Sequence, residues 1–369
     1  MNKWTMGLAA AGVVSLASAA QAEENSVLTA LSSTVISGSV EASYVGGFST
    51  NNNMHNDGGF EANGASLNIG SPLGEGDYGA SYNVGLLFGN RAGAFLQNDA
   101  TQLLRSANIG MNLPFGNGVD LTLGKFDTTV GYEVEASASN PNVMRSYGYL
   151  QEPRTHTGLM AATEIADGLS VSAGLINGFD SSNGDNDGAG QLGYVLGAEF
   201  AIPDSLGFLG GSTLYVGYVD GSDEGNDGNV DDNTLLYIGA SVNTPIDGLA
   251  VGIAYDDREW GWGLDSDSVA VYASYSLSDD ASIALRYDNG TIEAGGAEDS
   301  FDNLALTLDY SLWENVTTRL ELGWESGVGG IGDGGLGYVR RPSPASDGTS
   351  STSSSGDSSY FALSAFYSF

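Results

Sequence analysis

Downstream of residue 22 the chain repeats one pattern: short runs in which every second residue is apolar and those between are small or polar. Tyr78, Ala80, Tyr82, Val84, Leu86 and Phe88 form one such face. Leu304, Leu306, Leu308 and Tyr310 form another, and Val316, Thr318, Leu320, Leu322 and Trp324 a third. Residues 192–202, 249–255 and 269–277 follow the same rule. A period of two is the signature of a β-strand, because successive side chains leave opposite faces of the backbone. No apolar run after residue 22 is long enough for a membrane-spanning helix.

Alternation alone also fits a soluble β-sandwich. Three features favour a membrane barrel. The faces opposite the apolar rows are polar and small: Ser282, Ala284 and Arg286; Asn303, Ala305, Thr307 and Asp309; Thr317, Arg319 and Glu321. Such a face suits a wet lumen, with the apolar face against lipid. Aromatics sit at strand ends, Tyr44, Phe88, Tyr218, Tyr255, Tyr287 and Trp324 at one side and Tyr78, Tyr275, Tyr310 and Phe369 at the other, as two interfacial girdles require. Connections alternate in length. The short ones are 71–77, 114–118, 166–168, 203–212, 244–248, 278–281 and 311–315. The long ones are 45–59, 89–101, 127–156, 178–190, 220–233, 257–268, 288–300 and 325–359. The expectation is an all-β fold: a transmembrane antiparallel β-barrel of about sixteen strands, with short periplasmic turns and long extracellular loops.

The N-terminus supports an exported protein. Lys3, an apolar and small-residue stretch over 6–20 and the A-x-A site Ala20-Gln21-Ala22 read as a signal peptide, residues 1–22. Residues 23–33 read as a short periplasmic lead-in, and 34–369 as the barrel. The expected address is the bacterial outer membrane, with its lipid as a partner. The last strand alternates through Phe361, Leu363, Ala365, Tyr367 and Phe369. Its terminal aromatic resembles the signal by which the barrel-assembly machinery recognises outer-membrane proteins.

The chain carries 46 Asp plus Glu against 11 Lys plus Arg, a formal charge of −35. Nucleic acid is thereby excluded as a partner, since binding it needs clustered basic residues. With no Cys there is no disulfide or thiolate metal site. Only His55 and His156 could act as neutral-pH bases, and neither G-x-S-x-G nor H-E-x-x-H occurs. No enzyme and no cofactor are expected.

Most of the basic charge in the middle of the chain lies in or beside the third long connection, 127–156, as Lys125, Arg145 and Arg154, alongside Glu133, Glu135 and Glu152. A long loop that is neither Ser-rich nor Asp-rich is expected to be ordered. Asn140-Pro141 could open a helical turn, with Pro at its first position. Tyr147, Tyr149 and Leu150 could pack it down. Lys125 is anomalous, because it shares a register with Val119, Leu121 and Leu123; a bulge, or a position just above the lipid, would account for it.

Gly124-Lys125-Phe126, Gly131-Tyr132-Glu133, Asn140-Pro141, Ser146-Tyr147, Thr155-His156-Thr157-Gly158 and Asn177-Gly178-Phe179-Asp180 together resemble the OmpL-like putative outer-membrane β-barrel porin family. The resemblance implies a water-filled channel for passive diffusion of small hydrophilic solutes and ions, with a homotrimer as the usual assembly. It also implies that the third loop folds inward and narrows the lumen. The constriction would then hold Glu133, Glu135, Arg145, Glu152 and Arg154, facing Arg286 and Arg319 on the wall. The plain alternative makes these charges surface salt bridges of little consequence. Acidic loops at the mouth would favour cations.

Two other readings stay open. One is a non-conducting structural or surface-binding barrel. The other is calcium binding by oxygen-rich loops, through Asp185, Asp187, Asp223 and Asp227. Placing Gly188 or Gly228 at the sixth position of a calcium loop leaves Tyr194 or Thr234 at the twelfth, where Glu is needed. The loops therefore read as solvated, and a chelator should leave the melting temperature unchanged; a drop on chelation would establish a calcium site.

Overall fold

The computed structural model describes residues 34–74, less 48–58, then 77–89, 92, 103–180, 192–221, 223–224, 230–231, 233–260, 263–294, 296–327 and 358–369. The expected lead-in 23–33 and signal peptide lie outside them.

The first half of the chain supplies β1 (Val35–Gly47), β2 (Gly59–Ser71), β3 (Ala80–Phe88), β4 (Leu104–Leu113) and β5 (Val119–Asp127). After a helical turn, α1 (Tyr147–Gln151), come β6 (Thr155–Ala166), β7 (Leu169–Ile176), β8 (Gly193–Ala201) and β9 (Thr213–Asp220). A small ribbon, β10 (Asp223–Glu224) with β11 (Val230–Asp231), interrupts the series. The second half supplies β12 (Thr234–Asn243), β13 (Leu249–Glu259), β14 (Leu264–Ser278) and β15 (Ala281–Ala294). It ends with β16 (Ala297–Trp313), β17 (Val316–Ser326) and β18 (Ser358–Ser368).

Leaving out the ribbon, sixteen strands pair antiparallel with their neighbours into one closed barrel, β9 pairing with β12. β1 and β18 close it, in a register running from Ser39 opposite Ser368 to Gly47 opposite Tyr360. Beyond that ladder the amide of Phe369 donates to Gly38 O at 3.0 Å, and the amide of Gly38 returns the bond to Phe369 O at 3.0 Å. Gly38 must lack a side chain, since a Cβ there would meet Ser66 O at 2.3 Å and the Phe369 ring at 2.7 Å. Closure gives each of the sixteen barrel strands a neighbour on both sides, as hydrocarbon demands.

The period-two pattern now has a physical meaning. Ile36, Ile109, Leu196, Ile253, Leu285, Leu308, Leu320 and Leu363 point outward and are exposed. A contiguous apolar belt of this kind is stable only against lipid. The outer rim carries Tyr44 with its ring 4.9 Å from Phe60 and 5.6 Å from Phe361. At the opposite rim the rings of Tyr367 and Phe369 lie 6.5 Å apart.

Three expectations need correction. The connections expected over 257–268 and 288–300 are mostly strand: β13 and β14 run on to Glu259 and from Leu264, and β15 and β16 to Ala294 and from Ala297. Beyond the girdle the outward face of a hairpin leaves lipid and turns polar, as at Asp257, Glu259 and Asp265, while the inward face is polar and buried at Asp256, Arg258, Ser266 and Ser268. Polarity therefore stops alternating while the backbone ladder continues, and the sequence signal vanishes. Asn140-Pro141 does not open a helix. Asn140 follows the turn Ser137–Ser139, and its side chain accepts from Val134 N at 2.8 Å and donates to Val134 O at 2.7 Å. Ser146 caps α1 instead, its Oγ accepting from Tyr149 N at 3.1 Å. Finally, the irregularity beside Lys125 lies in β4, where the register slips between Gly85 and Leu86 and turns both Arg105 and Ser106 into buried positions. Lys125 itself is buried, following Gly124 at φ 124°.

Leu285 sits mid-strand on the lipid face, so Leu285→Arg should cost about 2–4 kcal/mol. The same charge at lumen-facing Asn83 should cost far less. Urea unfolding of the two variants in lipid vesicles compares them directly.

Candidate functional site

The connection from β5 to β6 leaves the wall at Asp127 and crosses the interior before returning at Thr155. Val130 joins an inward apolar cluster with Phe126, Met160, Ile176, Phe179, Val195, Val219, Leu235 and Tyr237. Tyr132 stacks on Tyr272 of β14, ring centroids 4.2 Å apart at 17°. It reaches that position over Gly252 of β13, where a Cβ would stand 2.1 Å from its hydroxyl oxygen. Further along, Tyr147, Tyr149 and Leu150 of α1 pack with Phe301 of β16.

Wall carboxylates hold the loop backbone. Glu321 of β17 accepts from the amides of Val143 at 2.5 Å and Met144 at 3.1 Å. The same carboxylate takes the hydroxyls of Thr307 at 2.7 Å and Tyr360 at 2.9 Å. Asp288 of β15 accepts from Tyr147 N at 3.3 Å. Asn142 Nδ2 donates to Thr307 Oγ1 at 2.7 Å.

Arg286 of β15 is the centre of the network and is completely buried. Its Nε donates to Asp288 at 2.8 Å, Nη1 to Glu133 at 3.2 Å, and Nη2 to Asn303 at 3.0 Å and to Arg145 O at 3.1 Å. Nη1 also donates to Met144 O. Glu133 in turn accepts from Ser146 N at 3.1 Å and Tyr272 OH at 3.1 Å, with Arg145 Nε 4.0 Å away. Arg319 of β17 forks onto Asp309 at 2.5 and 2.7 Å, donates to Ser137 O at 3.1 Å, and lies over the Phe366 ring at 5.2 Å. Across the lumen, Arg105 of β4 pairs with Asp127 and reaches Glu135 at 3.3 Å.

The charged residues singled out in the sequence thus fall into separate groups. Glu133, Arg145 and Arg286 meet. Glu135 meets Arg105, while Arg145 donates to its carbonyl at 2.8 Å. Arg319 finds its carboxylate, Asp309, on its own wall, and the loop offers it carbonyls. Arg154 covers the Tyr149 ring at 4.0 Å and donates to Glu152 O at 3.3 Å, beside the buried Glu152 side chain. All of them are buried, so none is a surface pair. Parity in the sequence puts Asp309 and Glu321 on the lumen face but not in the constriction, and it does not single out Arg105 or Asp288.

Every Lys and Arg among the described residues is buried: Arg105, Lys125, Arg145, Arg154, Arg258, Arg286 and Arg319. Below the loop the inward side chains change character. Asn68, Asn83, Asn108, Ser282 and Thr317 are only half-buried.

Asp185, Asp187 and Asp227 lie outside the described residues, and Asp223 sits in the ribbon opposite Asp231. Among the described residues no three acids or histidines gather as a metal site. His156 is fully buried at the loop base, its Nε2 3.1 Å from Thr128 Oγ1.

Removing one member of a buried ion pair leaves its partner uncompensated. Arg286→Ala should therefore cost about 3–5 kcal/mol by stranding Glu133 and Asp288, read as a lowered urea midpoint. Asn83→Ala, on the half-buried wall, should change it by about 0.5 kcal/mol or less.

No curated protein matches the chain. The fold is that of an anion-selective porin from Comamonas acidovorans, at 14% identity and TM-score 0.62, over 91% of this chain and 99% of the other. It is likewise that of the outer membrane channel DcaP of Acinetobacter baumannii, at 10% identity and TM-score 0.60, over 91% and 97%. A trimer form of OmpT from Vibrio cholerae matches at 15% identity and TM-score 0.58, over 91% and 99%. At such identities the likeness concerns the fold. The family model "Putative beta-barrel porin-2, OmpL-like" spans residues 33–369, and with that match the chain belongs to this family of outer-membrane β-barrel porins.

Proposed function

We propose that the barrel is a passive diffusion channel for small hydrophilic solutes, with a preference for cations and with 127–156 as its constriction. One observation carries the charge preference. All described basic side chains are buried, most of them seen against carboxylates, carbonyls or aromatic rings, so the charge left to face water is acidic. An acidic, water-filled mouth enriches cations and repels anions. The anion selectivity of the Comamonas acidovorans porin belongs to that protein's own side chains, since only the fold is shared.

The reading needs no catalysis and no cofactor. A homotrimer is the proposed assembly, in line with the trimer form of the Vibrio cholerae protein. The exposed ring of Phe369, at the seam of closure, is the proposed handle for the assembly machinery.

A second reading has its own support. The apolar cluster around Val130 packs the loop against inward residues of the wall from β5 to β14, as a non-conducting structural barrel would require. Single-channel recording in a planar bilayer under a salt gradient separates the two. Discrete conductance steps with a cation-selective reversal are expected. Steps with anion selectivity would reject the acidic-mouth argument and keep the channel. A folded but silent barrel would favour the structural role.

A further inference from the structure

We infer that a single monovalent hard cation binds between α1 and the wall, held by Asp256 of β13, Ser268 of β14 and Gln151. The inference goes beyond channel conduction and does not depend on it.

Asp256 is 1% exposed, and its Oδ1 has no hydrogen-bond partner. Its direct cross-strand neighbour is Ser268, also 1% exposed, whose Oγ is likewise unpartnered. Both face α1 at Gly148: a Cβ there would lie 2.2 Å from Asp256 Oδ2 and 3.2 Å from Ser268 Oγ. Gln151 stands three residues on, on the same face of the turn, 1% exposed, with neither amide atom partnered. Asp256 and Ser268 thus converge on Gly148 with unpartnered atoms, and Gln151 leaves the same face of the turn with its amide unpartnered.

An isolated buried carboxylate is costly, and unbonded amides and hydroxyls add to the cost. At three other carboxylates facing this loop the same demand is met by an arginine or a backbone amide. Glu133 has Arg286 and Tyr272, Asp288 has Arg286, and Glu321 has two amides. Asp256 has no such donor. Its surroundings offer oxygens: a second Oδ, the Ser268 hydroxyl and the Gln151 amide oxygen. Oxygen donors suit a hard cation. One carboxylate with neutral oxygens balances a single positive charge. A divalent ion would want a second free carboxylate, and Glu133 is already committed to Arg286. Bound there, the ion would tie the loop helix to β13 and β14.

The test is thermal unfolding of the purified barrel in sodium, potassium and choline chloride at equal ionic strength. A saturable rise in melting temperature with sodium or potassium over choline is expected for the wild-type barrel. Asp256→Asn should melt no lower than wild type in choline and lose the dependence on the cation. Ser268→Ala should weaken it. Equal melting of the wild type in all three salts would overturn the proposal. So would a cation dependence that survives in Asp256→Asn.

Discussion

The structure depends on how a chain this poor in positive charge places its arginines. A guanidinium carried into a protein interior loses its hydration and must recover it from fixed acceptors. Arg286 does so with two carboxylates, one side-chain amide and two loop carbonyls. Because those acceptors come from both the wall and the loop, satisfying the charge fixes the position of the loop. Arg319 repeats the arrangement one strand pair away, and Arg105 repeats it on the opposite wall.

The carboxylates complete the same design from the other side. Glu321 and Asp288 accept loop amides that would otherwise be unbonded, since a loop lacks a ladder of its own. The loop therefore behaves as part of the wall. It has only two short helical turns, Ser137–Ser139 and α1, yet its backbone is held at several separate points. Cations drawn into this network are withdrawn from the solvent-facing surface.

Much of this was legible in the sequence, and the reason is parity. In a barrel the side-chain period is fixed and each face has one solvent, so Leu304–Leu306–Leu308 against Asn303–Ala305–Thr307 sorts lipid from lumen directly. Strand ends above the girdle were not legible, because there the outward residues Asp257, Glu259, Asp265 and Asp267 are as polar as the buried inward ones, Asp256, Arg258, Ser266 and Ser268. Within the site, the acidic and basic types in 127–156 could be read, but their partners could not. Pairing of Ser137 O with Arg319 spans elements far apart in the chain and follows only from barrel closure, and that of Glu135 with Arg105 follows only from how the loop folds back on the wall. The slip that turns Arg105 inward is a single-residue event in β4 and leaves no periodic trace.

The most direct test of the account is hydrogen exchange at the amides of Val143, Met144, Ser146 and Tyr147 in the folded barrel. Each donates to a buried carboxylate, so exchange should be slowed to the level of the neighbouring strands, and Glu321→Gln should accelerate Val143 and Met144 first. Exchange at the rate of an open surface loop would contradict the claim that buried charge pins this segment across the lumen.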